Sequence, residues 1–193
     1  AEKESIVKAF LAEQGINSFK NEMFIRIFKE EQILEVLLRP EGQKKYIHVR
    51  DYTICSSSGL PGPKRKQGDY QTPEGFYYID RFNPYSSFYL SLGINYPNQS
   101  DRIVGKSNLG GDIFIHGNCV TIGCVPLTDD KIKEVYLLAV EAKSSGQQKI
   151  PVHIFPCRMS TEVYGQLLEK YPQNKPFWEN LKTGYLKFEK DQI

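Results

Sequence analysis

Ile113-Phe114-Ile115-His116-Gly117-Asn118-Cys119-Val120-Thr121-Ile122-Gly123-Cys124-Val125-Pro126-Leu127-Thr128-Asp129 holds both a switch of secondary structure and the most reactive side chains of the chain. Its apolar opening reads as a buried strand delivering a histidine at its end. A short polar loop follows, then a Gly-Cys pair just ahead of a helix start. Thr128 has the character of an N-cap, with Asp129 and Asp130 in the first turn, where carboxylates meet the positive end of the helix dipole. The series Ile132, Val135, Tyr136 and Ala139 carries that helix to about residue 142. Chemistry on an acyl group needs a thiolate, a base to make it and donors for the oxyanion. A thiol of pKa about 8.5 is mostly protonated at neutral pH, and a neighbouring imidazole lowers that value. Cys124 is therefore the candidate nucleophile and His116 its candidate base. Gly123 lets the backbone approach a substrate closely, and the amides around Cys124 are candidate oxyanion donors. The group that orients His116 is not visible in the sequence, although a backbone carbonyl would serve.

Upstream, Ile6, Val7, Phe10 and Leu11 recur at helical spacing and end at Gly15. The period then changes. Residues 23–28 and 33–38 read as strands joined by a turn at 29–32, residues 45–56 as a third strand, and 76–80, 87–92 and 112–116 as later ones. Residues 59–75 are rich in Gly, Pro and charge and form a long loop, a class of segment often functional in compact domains. Downstream, 152–155 is one more strand, and 161–170 and 176–182 are helical. The expected fold is α+β and β-rich: one barrel-like or sandwich-like domain with flanking terminal helices. Its expected division is an N-terminal helix over 1–18, a catalytic domain over 19–157 and a helical extension over 158–193 packed upon it. Phe177, Trp178, Leu181, Tyr185, Leu186 and Phe188 give that extension its packing face.

With 193 residues, 40% of them hydrophobic, the chain can bury a full core without metal or disulfide staples. A net charge of +2 argues against a dedicated nucleic-acid binder. No apolar run reaches the roughly 18 residues of a membrane span. Ala1-Glu2-Lys3-Glu4-Ser5 opens directly onto a helical pattern and does not read as a leader. Four cysteines, Cys55, Cys119, Cys124 and Cys157, are too few for a disulfide scaffold.

The strand-borne His116-Gly117 followed by Thr121-Ile122-Gly123-Cys124 resembles the signature of L,D-transpeptidase (YkuD-type) catalytic domains, most closely their YafK-like murein branch. Gly62-Pro63-Lys64, Gly68-Asp69, Thr72-Pro73-Glu74-Gly75, Leu90-Ser91-Leu92-Gly93-Ile94-Asn95-Tyr96-Pro97-Asn98 and Asp101-Arg102 agree with that branch in order, so the likeness runs from about Phe24 to Phe155. The resemblance implies a β-rich domain in the periplasm or otherwise outside the cytoplasm. It implies attack on the amide after the L-centre of diaminopimelate in a peptidoglycan stem peptide, a thioester, and transfer of the acyl group. By position Cys124 matches the nucleophile, His116 its activating histidine, and Gly117 and Gly123 the glycines that shape the pocket. Lys64, Tyr96, Arg102 and Thr121 are the expected substrate contacts, Lys64 and Arg102 for substrate carboxylates. No cofactor is implied. The broader family places a second histidine directly before the Gly-Cys pair, where this chain has Ile122, and the loop between His116 and Cys124 is shorter than usual. The acceptor is therefore open among water, another stem peptide and the lysine of a wall-linked protein.

Other readings compete at each residue. Cys119 is a rival nucleophile, and a bond from it to Cys124 would switch an enzyme off. His116, Cys119 and Cys124 also offer soft metal ligands, but Asn118 stands where a zinc deaminase needs Glu, and four residues separate the cysteines. Cys55, Cys157, His48 and His153 read as packing or surface positions. A hydrolase that trims stem peptides or frees proteins from the wall shares every step up to the thioester. A non-catalytic wall-binding module would keep the fold, but the usual sign of one is a lost Cys124 or His116.

Overall fold

The apolar runs Met23-Phe24-Ile25 and Val36-Leu37-Leu38 suit strands covered on both faces, and they lie in two neighbouring strands of the sheet. The structure, a computed structural model, describes residues 2–105 and 108–193. Helix α1 (Glu2–Glu13) leads into β1 (Asn21–Phe28), β2 (Ile33–Pro40) and β3 (Ile47–Thr53), then β4 (Gly75–Ser86) and β5 (Tyr89–Ile94). Helix α2 (Gln99–Val104) precedes β6 (Phe114–His116) and the two-residue β7 (Val125–Pro126). Helix α3 (Asp129–Ser144), β8 (Ile150–Phe155), α4 (Glu162–Lys170) and α5 (Lys175–Asp191) complete the chain.

One mixed sheet runs β3-β2-β1-β8-β4-β5-β6-β7, with β1/β8 and β6/β7 parallel and the rest antiparallel. It curls as a half-barrel. Its two ends meet where Cys55, just past β3, donates its amide to Pro126 O in β7 at 3.1 Å. A disulfide between Cys55 and Cys119 closes the same seam. Two cysteine expectations are corrected here. Cys55 is a staple rather than a packing residue, and the partner of Cys119 is Cys55, so Cys124 stays free. Two of the four cysteines do form a structural bond, which brings together ends of the sheet that are remote in sequence.

Helix α3 places Ile132, Val135, Leu138, Ala139 and Ala142 in the core, the stripe expected of an amphipathic helix. Helix α5 runs well beyond the expected 182, through Gly184 to Asp191. A Cβ there would lie 2.6 Å from the Phe76 ring, so the glycine permits the helix to lie close against β4. The extension packs through Trp178, Leu181 and Tyr185 against Phe28 and Phe155. Its anchor is polar as well: Trp178 Nε1 donates to Glu74 Oε2 at 2.7 Å, and the fully buried Glu74 also pairs with Lys29 at 3.0 Å. Arg26, buried in β1, is matched to Glu35 across β2 and lies over the rings of Phe28, Tyr185 and Phe188.

Candidate active site

The alternation of β6 sends Ile115 into the core and leaves Phe114 and His116 on the opposite face. Parallel pairing of Ile115 with Val125 sets Cys124 level with Phe114. The Phe114 amide donates to Cys124 Sγ at 3.4 Å, and the thiol in turn donates to Asp112 O at 3.7 Å. His116 is 2% exposed, and its Nδ1 lies 2.5 Å from the Gly117 carbonyl oxygen. A carbonyl can only accept, so Nδ1 carries the ring proton and Nε2 the lone pair. This is the orienting group that the sequence left unidentified.

Gly117 is fixed by crowding: a Cβ would stand 2.7 Å from Asp129 Oδ1 and 3.1 Å from Phe88 O. That same Asp129 oxygen accepts the Asn118 amide at 2.7 Å, tying the loop to the start of α3. Gly123 adopts φ 139, and a Cβ there would approach Gln71 O at 3.1 Å. Thr121 Oγ1 accepts from Gly123 N at 3.1 Å and donates to Cys124 O at 2.8 Å, holding the turn that presents the thiol. The Gly123 amide is thus engaged, while the Cys124 amide has no partner among the described residues and is the donor left for an oxyanion.

Cys124 and His116 open into one cavity of about 550 Å³, walled also by Phe88, Phe114, Thr121 and Ile122. A second cavity, of about 180 Å³ and lined by Ser56, Ser57, Ser58 and Thr72, also reaches Cys124. Burial raises the Cys124 thiol above its ordinary value; the Phe114 amide opposes this, the Asp112 charge adds to it and the Lys64 charge opposes it. Burial lowers His116, with the Gly117 carbonyl pulling the other way. Both shifts favour a neutral thiol beside a neutral imidazole.

Of the expected site residues, Cys124, His116, Gly117, Gly123 and Thr121 come together. Lys64 is 5% exposed and committed to Asp69 at 2.6 Å and to Lys66 O, so it reaches the site only through its charge. Tyr96 is buried, its hydroxyl donating to Leu109 O at 3.2 Å, and Arg102 sits on α2; neither lines the cavity. His153 is buried between the rings of Phe24 and Phe76, and exposed His48 contacts Asp51. With its sulfur bonded to Cys55, Cys119 can be neither nucleophile nor thiolate ligand, which removes a member of the zinc set. Asp112, Phe88 and Phe114 were not expected at the site; the alternation of residues 112, 114 and 116 along the strand was the signal for two of them.

Residues 23–154 match the profile of the YkuD family, the L,D-transpeptidase catalytic domain. YafK, a candidate L,D-transpeptidase of Escherichia coli K12, is 40% identical over 169 residues, covering 86% of this chain and 66% of that protein. The helical cell shape determining protein Pgp2 of Campylobacter jejuni is 26% identical with a TM-score of 0.52, covering 77% of this chain and 54% of that one. Bdellovibrio bacteriovorus Bd1075 is also 26% identical, with a TM-score of 0.50 over 70% of this chain and 48% of that one. The chain therefore spans about two thirds of the curated relative and about half of each solved structure.

Proposed function

Because the chain belongs to the YkuD family of L,D-transpeptidase catalytic domains, we propose that it is a cysteine acyltransferase of peptidoglycan stem peptides. The observation that carries this reading is the shared cavity: a free Cys124 thiol opens into it beside a histidine whose tautomer is set by Gly117 O. His116 Nε2 takes the proton of Cys124 Sγ as sulfur adds to the substrate carbonyl, and the Cys124 amide donates to the oxyanion. Collapse of the adduct breaks the carbon–nitrogen bond, and His116 returns the proton to the departing amine. A thioester on Cys124 remains. An acceptor amine then gives up its proton to His116, attacks the thioester and regenerates the thiol; water in that place makes the reaction a hydrolysis.

The Cys55–Cys119 bond supports a periplasmic or other extracytoplasmic site of action, because such bonds form and persist in oxidising compartments. The test is a digest of purified peptidoglycan by the wild-type protein and Cys124→Ala, with the products weighed by mass spectrometry. New cross-linked dimers that depend on Cys124 establish transpeptidation. Trimmed stems or released wall-linked protein establish hydrolysis instead. No Cys124-dependent product from any wall preparation leaves only a wall-binding module.

A further inference from the structure

The cavity at Cys124 is charged in an unexpected way. Among the described residues, Asp112 is the single carboxylate on its lining, and no lysine or arginine stands there. A substrate arm bearing only a carboxylate would meet like charge. The carboxylate of Asp112 does not stand alone, however: Arg81 Nη1 donates to its Oδ1 at 2.8 Å. The Arg81 guanidinium lies over the ring of Phe114, 4.9 Å from its centroid, and Phe114 is itself a wall of the cavity. Arg81 Nε is steadied by Asp80 at 3.1 Å. Asp112 Oδ2 and Arg81 Nη2 have no partner among the described residues, and both side chains are solvent-accessible, at 81% and 44%. The backbone of Asp112 is anchored at the nucleophile, its carbonyl accepting the Cys124 thiol.

We propose that Asp112 and Arg81 form a zwitterion-reading pair at the rim of the cavity. They select an acyl donor whose side chain ends in an α-amino-acid group, the ammonium held by Asp112 and the carboxylate by Arg81. Taking the stem-peptide reading above as given, this group is the D-centre of diaminopimelate. An arm ending in an ammonium alone satisfies Asp112 and leaves Arg81 unanswered, and an uncharged arm satisfies neither. The ion pair already present orients both groups before substrate arrives, so little side-chain order is lost on binding.

The test compares two synthetic stem tetrapeptides that differ only in diaminopimelate or lysine at the third position. The readout is the ratio of their kcat/KM values. In the wild-type protein the diaminopimelate stem is favoured by about tenfold, the size of a charge-assisted contact. Arg81→Gln brings that ratio towards one, chiefly through a higher KM for the diaminopimelate stem. Asp112→Asn lowers kcat/KM for both stems, because each presents an ammonium. Both residues are exposed, and thermal melts verify that the variants fold. A ratio left intact by Arg81→Gln, or a wild-type protein that does not distinguish the stems, overturns the pair as selector. Failure of the wild-type protein to turn over either stem removes the stem-peptide reading itself, and the pair's role with it.

Discussion

The Cys124 thiol and the His116 imidazole open into one cavity, yet among the described residues no hydrogen bond joins them; the thiol is turned towards Asp112 O and the imidazole held by Gly117 O. On the mechanism proposed above, the thiol turns from Asp112 O towards His116 Nε2 for proton transfer, as in many sites whose hydrogen bonds tighten only with substrate present.

Acid dependence follows from that neutral pair. Only the unprotonated imidazole can take the thiol proton, and burial holds His116 below the ordinary 6.5. The rate should therefore rise with pH, with its midpoint on the acid side of 6.5, and be level at neutrality. His116→Gln should lose about 10²–10⁴ in kcat/KM at neutral pH and recover as the thiol ionises at alkaline pH. A pH profile of both proteins checks this. An acid limb unchanged by the substitution would exclude His116 as the base.

The seam disulfide should contribute to stability. Replacing Cys55 and Cys119 together by serine is expected to cost about 2–4 kcal/mol, since the bond closes a loop across 64 positions of sequence. Urea denaturation of oxidised wild type, reduced wild type and the double variant measures it. Reduction should reproduce the variant's loss if the bond itself is responsible.

Glu74 is buried and accepts from Lys29, Gly62 N and Trp178 Nε1. Glu74→Ala leaves Lys29 without its carboxylate and should cost about 3–5 kcal/mol. Trp178→Phe removes one donor and should cost less, about 1–3 kcal/mol. Equal losses by chemical denaturation would mean that packing of the indole, rather than the buried charge, dominates this anchor.

His153 sets a second pH dependence, this one of stability. Burial, with the charge of Arg26 adding to it, lowers its pKa to about 3 in the folded chain, whereas the unfolded chain keeps about 6.5. Between those values the unfolded state binds the additional proton. Stability is complete above pH 6.5 and declines as pH falls, by up to about 1.4 kcal/mol per pH unit from this group. His153→Phe should flatten the fall, as read by melting temperatures across that window.

The sequence made the apolar strands, α3 and the closeness of Cys124 to His116 at one cavity legible, because each depends on local period or on residue types near one another in the chain. What escaped it was set by distance or by brevity. Strand β7 is two residues long and exists only through β6. Helix α2 is short, although Asn98 and Asp101 form a reciprocal cap that was open to reading. Helix α5 continues past 182 through Gly184, whose close approach to Phe76, more than a hundred residues earlier, is a contact that local sequence does not carry. Lys64 and Arg102 were expected at the site from the resemblance and from their charge, and neither tells whether a side chain is already satisfied: Lys64 is bound by Asp69.

The Cys55–Cys119 bond bears on how the molecule is made. In chain order the cysteines are Cys55, Cys119, Cys124 and Cys157. A chain threaded N-terminus first into an oxidising compartment therefore presents the bonded pair before Cys124 emerges, and consecutive pairing gives the native bond. Any rearrangement that drew Cys124 into a bridge would remove the free thiol on which the proposed acyl transfer depends. The native bond leaves two thiols, those of Cys124 and the buried Cys157, so a thiol count distinguishes it from a chain with a second bridge.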